Sequence, residues 1–589
     1  MAGGLAPTEI TKLFLMQALT QRREPSMNVS ESAGPIDSTP PTGALLVHAA
    51  RGPVRGLAPD RSIARWASAL ARRPRAVRGR LGELLEETRR IANGTSTVLP
   101  DPRDRRFRDP AWETNPLLAR LVQLYIAGAR TLDQLIDDAD LVARDSARVR
   151  FLVENLMEAI APSNIPLVNP ASAKEAIDTG GLSLVRGVKQ LAKDVSSTPR
   201  LPEMVDASGF SVGSNIAATP GAVVFRSEVL ELIQYQPQTD QVYAIPTLIV
   251  PPTINKFYAV DLAPERSLVE FGVRQGRQNF VISWRNPDQR HAGWGFDVYV
   301  GAVLEALAAI EDITGSDQTM LGGVCSGGIL ASMTAGYLAG IGEQDRLAGL
   351  CLAVTVIDDA GTGTVSALAN RRMAEKVKAK SAKVGYLDGR ALAEVFAWLR
   401  PGDLVWNYWV NNYLLGRRPP ALDLLFWNAD TTRMAARLHA DFVDMSLDNL
   451  LARPGALSVL GVPIDLQTIT LDTYVVAGVT DHITPWDSCF RTAKLFGGQS
   501  RFVLSTSGHV AAMVNPPGNP KATYRTNTSM GLEAAEWLEG AETHHGTWWG
   551  DIAAWLDARC GDLKAGPDRL GSAEHPPLAV APGTYVLQK

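Results

Sequence analysis

From about Gly213 onward, short runs of β-branched and other apolar residues, bounded by Gly, Pro and Asn, alternate with helical stretches. Parallel strands cannot be joined by tight hairpins, so an alternation of this kind requires crossover helices and a largely parallel sheet. The runs are Tyr243 to Val250, Phe280 to Ser283, Met320 to Val324, Leu350 to Ile357, Thr473 to Ala477 and Phe502 to Ser505. Between the second and third, Val300, Val303, Leu304, Leu307 and Ile310 form one stripe of a helix. Residues from about 359 to 460 interrupt the pattern with helical, Trp- and Tyr-rich sequence, as expected of a cap inserted between two strands. The fold class expected for 213–589 is therefore α/β, a sheet domain carrying a helical cap.

Upstream, residues 61–212 read as a mainly helical N-terminal domain, with Leu117, Leu118, Leu121, Leu124 and Tyr125 on one apolar face. Residues 1–60 are rich in Pro, Ser and Gly and read as a disordered arm, with Met27 an alternative start. Between Arg51 and Arg90, eleven arginines stand against Asp60, Glu83, Glu86 and Glu87. That stretch reads either as a solvated helix face or as a basic amphipathic helix for an anionic surface or a partner.

Composition excludes several classes. Lys+Arg 58 against Asp+Glu 62 leaves no basic excess for a nucleic-acid binder. No apolar stretch reaches the roughly 18 to 20 residues of a membrane-spanning helix. The opening MAGGLAPTEITKLF lacks the basic head and apolar body of a signal peptide, so a cytoplasmic location is expected. Cys325, Cys351, Cys489 and Cys560 form no CxxC pair, the histidines show no HxxxH spacing, and no Gly-Lys dipeptide is present. Neither a metal site, a cofactor-binding site nor a P-loop is expected.

Chemistry concentrates at Leu321–Leu330, LGGVCSGGIL. A β-run ends in Gly323-Val324-Cys325-Ser326-Gly327 and a helix of small residues follows. That is the setting of a nucleophile elbow, with Cys where Ser usually stands. Glycines are needed there because the turn is strained and its neighbours must pack without side chains. The helix start behind the sulfur favours a thiolate and offers the Ser326 N–H to a developing oxyanion. Asp481 follows the run TYVVAGVT and His509 follows RFVLSTSG, each at a strand's carboxyl end. Nucleophile, acid, then histidine is the chain order of α/β-hydrolases, which makes Cys325, Asp481 and His509 the candidate triad. Asp487 is the nearest rival acid, but it opens the helix-like WDSCF, where an N-cap serves as well. Cys351 and Cys489 read as buried small hydrophobes, and Cys560 has no base near it in sequence.

A thiolate that attacks a carbonyl holds the acyl group as a thioester. The acyl group keeps the reactivity of a thioester donor, so passing it to a hydroxyl is downhill. The expected chemistry is thus acyl transfer from a thioester such as acyl-CoA to an alcohol.

The chain resembles the polyhydroxyalkanoate synthases, which polymerise (R)-3-hydroxyacyl-CoA into storage polyester. The resemblance runs from about Asp101 onward, through DRRFRDPAW (Asp104 to Trp112), TPGAVVFR (Thr219 to Arg226) and PPTINKFYAVDL (Pro251 to Leu262). It continues through SWRNPD, GGVCSGG, LRPGDLVWNYWVNNYLLG (Leu399 to Gly416) and WNADTTRM (Trp427 to Met434). AGVTDHITPW (Ala477 to Trp486), SGHVAAMVNPPGNPKA (Ser507 to Ala522) and PGTYV complete it.

The resemblance implies an α/β-hydrolase fold whose cap covers the site. It makes Cys325 the carrier of the growing chain, His509 its general base and Asp481 the third member. Backbone N–H groups of Ser326 and Ile254, the latter in the Thr253–Ile254 turn, would form the oxyanion hole. CoA thioester is substrate here rather than cofactor. The resemblance further implies a homodimer at the surface of polyester granules, with phasins among possible partners and a granule- or partner-binding N-terminal domain. Length fits the single-subunit classes, short-chain (class I) or medium-chain (class II). Ala511 and Thr355 resemble the short-chain enzymes at positions expected on the substrate side. Two other readings compete: a Cys-type hydrolase (thioesterase or polyester depolymerase) that gives the acyl group to water, and a granule-coat protein with an inactive core.

Overall fold

Residues 61–197, 200–358, 371–399 and 401–589, together with Leu46 and Ala49, are described by the computed structural model. At its centre is an eleven-stranded sheet. In chain order the strands are β1 (Gly221–Arg226), β2 (Leu230–Tyr235), β3 (Thr247–Val250), β4 (Asn279–Trp284), β5 (Thr319–Val324) and β6 (Leu347–Ala353). They continue with β7 (Thr473–Gly478), β8 (Ser500–Ser505), β9 (Thr523–Thr526), β10 (Glu542–His545) and β11 (Ala579–Val580). Side by side they run β10-β9-β8-β7-β6-β5-β3-β4-β2-β1-β11. From β4 across to β8 all pairings are parallel. Antiparallel strands flank that block on both sides.

Every residue of β3, β4, β5 and β7 is buried. Strands covered on both faces are mostly apolar at successive positions, which is why these read as continuous runs rather than alternating ones. Between β4 and β5 lies the helix Phe296–Thr314, with Val300, Val303, Leu307 and Ile310 buried on the striped face. Each such side chain contributes roughly 1.5–3 kcal/mol on leaving water.

The structure redraws two of the sequence-derived strands. Tyr243 to Val250 is two strands: Gln241–Tyr243 pairs with Leu563–Ala565, and β3 begins after Pro246, which has no N–H to give a ladder. The run Leu350 to Ile357 starts earlier, at Leu347, and stops at Ala353 because Val354 turns the chain with φ 45. The flanking strands β1, β2, β9 and β10 lie outside the six expected runs. In β9 and β10 the sequences TYRT and ETHH carry no apolar alternation, because these strands lie at the partly solvated edge of the sheet.

Between β6 and β7 the described insertion is helical as expected, with Arg371–Val384, Gly389–Leu399, Asp423–Ala429 and Ala436–Leu447 and two π-helical segments, Gly402–Trp406 and Trp409–Leu414. Residues 61–212 form α1 (Arg61–Ala71), α2 (Pro74–Asn93), α3 (Pro116–Asp138), α4 (Ala143–Ala159), α5 (Pro170–Asp178) and α6 (Leu182–Ser196) as their longer helices. They bond to the insertion: Tyr413 donates to Asp194 at 2.8 Å, Asn412 to the Glu203 carbonyl at 2.7 Å, and the Trp409 indole to the Asn164 carbonyl at 3.0 Å.

The basic stretch is two helices, broken where Pro74 starts the second. Part of its charge is used internally, by Arg65 on Asp145 and Arg80 on Asp138, both at 2.7 Å. Of the arm expected over 1–60, only Leu46 and Ala49 fall among the described residues. Both are helical and buried in the central core, and the rest of that stretch lies outside the described residues.

Candidate active site

Cys325 sits between the end of β5 and the helix Ser326–Ile341, with φ 51 and ψ −121. A non-glycine residue at positive φ is costly and persists only where surrounding structure enforces it. Here the Cys325 N–H donates to the Ala353 carbonyl at 2.9 Å, and the Cys325 carbonyl accepts from Gly328 N–H at 2.9 Å. A Cβ on Gly327 would overlap the Val250 and Pro251 carbonyls, and one on Gly323 would lie 2.5 Å from the Gly328 Cα. The helix therefore packs tightly against β3 and β5 and points its positive end at the sulfur. Cys325 is partly exposed and rests against an apolar cluster that includes Val324, Val354, Met513 and Trp427 of the insertion.

Asp481 and His509 meet as the chain order implied. Asp481 follows β7 and His509 begins the short helix after β8, adjacent parallel strands, so both side chains emerge at one sheet edge. Asp481 Oδ2 lies 2.7 Å from His509 Nδ1, and the carboxylate is fully buried. Its Oδ1 accepts the N–H groups of Ile483 at 2.8 Å and Thr484 at 2.9 Å. On its other side the imidazole feels the nearby Cys325 thiol, which favours its charged form.

Burial opposes charge on His509, but the Asp481 charge and hydrogen bond, with help from Cys325, outweigh it and push the imidazole up to about 10. Burial likewise opposes charge on Asp481, yet the His509 partner and the Thr484 hydrogen bonds hold the carboxyl below its usual value. The site thus stabilises, beside the Asp481 carboxylate, the imidazolium that His509 becomes on taking a proton from a neighbouring group. Burial raises the thiols of Cys351, Cys489 and Cys560. Asp487 does not cap its helix, whose N-cap is Pro485, and it pairs with Arg491 at 3.0 Å.

The turn after β3 divides its two N–H groups. Thr253 N–H is taken by Ser326 Oγ at 3.0 Å, whereas Ile254 N–H has no protein acceptor among the described residues. Thr355 is fully buried, its hydroxyl 3.0 Å from the Ala353 carbonyl and 3.4 Å from that of Cys325, so it braces the elbow. Ala511 is exposed.

One site residue escaped sequence reasoning. Thr484 donates its hydroxyl to Asp481 Oδ2 at 2.6 Å and lies 3.1 Å from His509 Nδ1. A threonine three residues after the candidate acid, inside AGVTDHITPW, was the available signal.

A mostly parallel sheet, a nucleophile elbow at β5, and an acid and a histidine after β7 and β8 together place the chain in the α/β-hydrolase class. In agreement, residues 246–516 match the family model described as alpha/beta hydrolase fold. Residues 103–272 match the one described as poly-beta-hydroxybutyrate polymerase (PhaC) N-terminus. Poly(3-hydroxyalkanoate) polymerase 1 of Ectopseudomonas oleovorans is 45% identical over 503 residues, covering 85% of this chain and 90% of that protein. Polymerase 2 of the same organism is 46% identical over 500 residues, covering 85% and 89%. The poly(3-hydroxyalkanoate) polymerase subunit PhaC of Cupriavidus necator is 39% identical over 506 residues, covering 85% of each. The chain belongs to the poly(3-hydroxyalkanoate) polymerase family.

Proposed function

We propose that this protein polymerises (R)-3-hydroxyacyl-CoA into polyhydroxyalkanoate, releasing CoA, through acyl groups held on Cys325. The observation that carries the proposal is the His509–Asp481 pair, 2.7 Å apart, whose imidazole is also influenced by Cys325 at the elbow of a member of this family. His509 takes the proton of the Cys325 thiol, and the thiolate attacks the substrate's thioester carbonyl. The oxyanion of that tetrahedral state is directed to the backbone N–H groups of Ser326 and Ile254. Collapse breaks the bond to CoA sulfur, and the departing thiolate takes the proton from His509. In the chain-extending step His509 removes a proton from the 3-hydroxyl of an incoming (R)-3-hydroxyacyl-CoA, and the hydroxyl oxygen attacks the acyl thioester on Cys325. The lengthened chain is left on CoA, to be passed back to Cys325 as in the first step. An ester forms, the Cys325 thiolate is released and the proton returns to it. Asp481 holds the imidazole in place and stabilises its charge through both proton transfers.

In this reading the 359–460 insertion is the cap and residues 61–212 form the N-terminal domain that meets granule, partner or second copy. Work at a polyester granule as a homodimer, with phasins as possible partners, completes the proposal. Among the described residues no helix is long and apolar enough to cross a membrane.

The test is incubation of the purified protein with (R)-3-hydroxybutyryl-CoA and, separately, the eight-carbon substrate, beside Cys325→Ala. CoA release with precipitable polymer from wild type alone supports the proposal. Release with only soluble 3-hydroxy acid would replace it with a Cys-type hydrolase. No release from either substrate would favour a granule-coat protein. Relative rates on the two substrates decide between short-chain and medium-chain preference.

A further inference from the structure

The turn that carries Ile254 continues to Lys256, whose side chain is buried, with 3% of the residue exposed. The ammonium donates to the Gln588 carbonyl at 2.7 Å. Burial pulls the group down to about 8, with the Asp430 charge opposing and Lys589 and Arg433 adding to the effect. Around it the turn is tied to the insertion, where the Thr432 hydroxyl donates to the Thr253 carbonyl at 3.3 Å. The Ile254 carbonyl accepts Thr432 N–H at 3.2 Å, the Lys256 carbonyl accepts the Trp427 indole N–H at 2.8 Å, and the Tyr258 hydroxyl donates to Asp430 at 2.8 Å.

Residues 584–589, which supply the carbonyl, are themselves held. Glu231, fully buried in β2, accepts the N–H groups of Thr584 and Tyr585, both at 2.8 Å, and the Thr584 hydroxyl at 2.7 Å. The Arg285 guanidinium lies 4.5 Å over the Tyr585 ring, and Lys589 reaches Asp430 at 3.2 Å. A strap anchored on the sheet thus ends against the turn and the insertion together.

We propose that Lys256 is a positioning residue for acyl transfer, fixing the Ile254 N–H by fastening its turn to the 584–589 strap. The inference rests on Ile254 as an oxyanion donor, as proposed above. A donor works only within about 2.7–3.1 Å of the developing charge, and small displacements are costly in rate. A buried ammonium cannot wander, because leaving its acceptor means losing its hydrogen bond in a dry site. A long side chain with a charged end is therefore a firm tether between two loops.

Two reagents separate this role from general disturbance of the site. Acylation of Cys325 by 4-nitrophenyl butyrate passes through an oxyanion, whereas alkylation by iodoacetamide displaces iodide at a saturated carbon and forms none. In Lys256→Met the acylation rate is expected to fall about 30- to 100-fold. The alkylation rate, corrected with Cys325→Ala, should stay within about twofold, and Lys256→Arg should recover part of the acylation. If Lys256→Met does not fold, Lys256→Gln, which keeps a donor but shortens the reach, is read by the same two rates. The proposal is overturned if acylation by the folded variant stays within about threefold of wild type, or if alkylation falls in step with it. Neither reagent involves CoA or polymer, so a wild type that makes no polymer would overturn the polymerase reading and leave this test standing.

Discussion

Thr484 donates its hydroxyl to Asp481 Oδ2 at 2.6 Å, and the same oxygen accepts from His509 Nδ1 at 2.7 Å. With the N–H groups of Ile483 and Thr484 on Oδ1, both carboxylate oxygens are committed and Asp481 has one orientation left. Thr484→Val preserves shape and removes one hydrogen bond to a buried charge. Such bonds are worth about 1.5–3 kcal/mol, so kcat for CoA release should fall roughly tenfold or more. A Thr484→Ser variant should stay near wild type. Wild-type kcat in Thr484→Val, with a loss in Thr484→Ser, would mean that packing of the methyl group, not the hydroxyl, is what matters.

The His509–Asp481 pair ties stability to pH. His509 is raised to about 10 when folded, against an ordinary value near 6.5. Its stabilising share is therefore complete below about pH 6.5 and is lost progressively as pH rises through 10. Asp481 is lowered, so its share is present above the usual carboxyl range and lost only as pH falls below it. Chemical denaturation at pH 6 and pH 9.5 should show wild type losing more stability over this interval than His509→Gln, by on the order of a few kcal/mol. Parallel losses in the two proteins would remove His509 as the titrating group.

The parts of this fold that sequence reasoning recovered are those whose physics is periodic or local. The runs that became β5, β7 and β8 are buried on both faces, and full burial writes itself as unbroken apolar sequence. Cys325 was legible because the elbow demands small neighbours within a few residues, and Gly323 and Gly327 supply them. Asp481 and His509 followed from strand ends. Strands β9 and β10 were not legible, because polar edge residues such as Thr543 and Thr526 carry no burial signal. The end of β6 was hidden for a different reason. Val354 occupies a positive φ that β-branched residues avoid, enforced by the bond of its N–H to the Val476 carbonyl, and such tertiary enforcement leaves no trace in one sequence. Lys256 falls within PPTINKFYAVDL, but its acceptor lies 332 residues away in the chain.

Positive φ at Cys325 makes a separable prediction about strain. Cys325→Ala and Cys325→Gly both remove the thiol and should both abolish turnover. They differ in whether a Cβ must occupy the strained turn. A residue held in such a region costs about 1–3 kcal/mol, part of which glycine gives back through its freer unfolded chain. Cys325→Gly should therefore be the more stable of the two by about 1 kcal/mol in urea denaturation. If Cys325→Ala is as stable or more so, the turn is not strained enough to matter.

Two adjacent glycines in β5 should respond in opposite ways to the same change. Gly322 lines an apolar cavity of about 90 Å³ between the sheet and the Phe271 and Trp548 side chains. A Cβ there would lie 3.4 Å from the Leu248 carbonyl oxygen and 3.8 Å from Ile249 Cγ1, which are ordinary contacts. Gly322→Ala fills part of the void and restricts the unfolded chain, and should stabilise the protein by about 0.5–1 kcal/mol with activity retained. Gly323 faces the nucleophile helix, where its Cβ would stand 2.5 Å from the Gly328 Cα and 2.9 Å from the Ala331 Cβ. Backbone there cannot yield without moving Cys325, so Gly323→Ala should cost about 2–3 kcal/mol and most of the activity. Melting curves and CoA release for the two variants side by side decide the matter. A stable, active Gly323→Ala would show that the elbow helix can shift outward and still present its sulfur to His509.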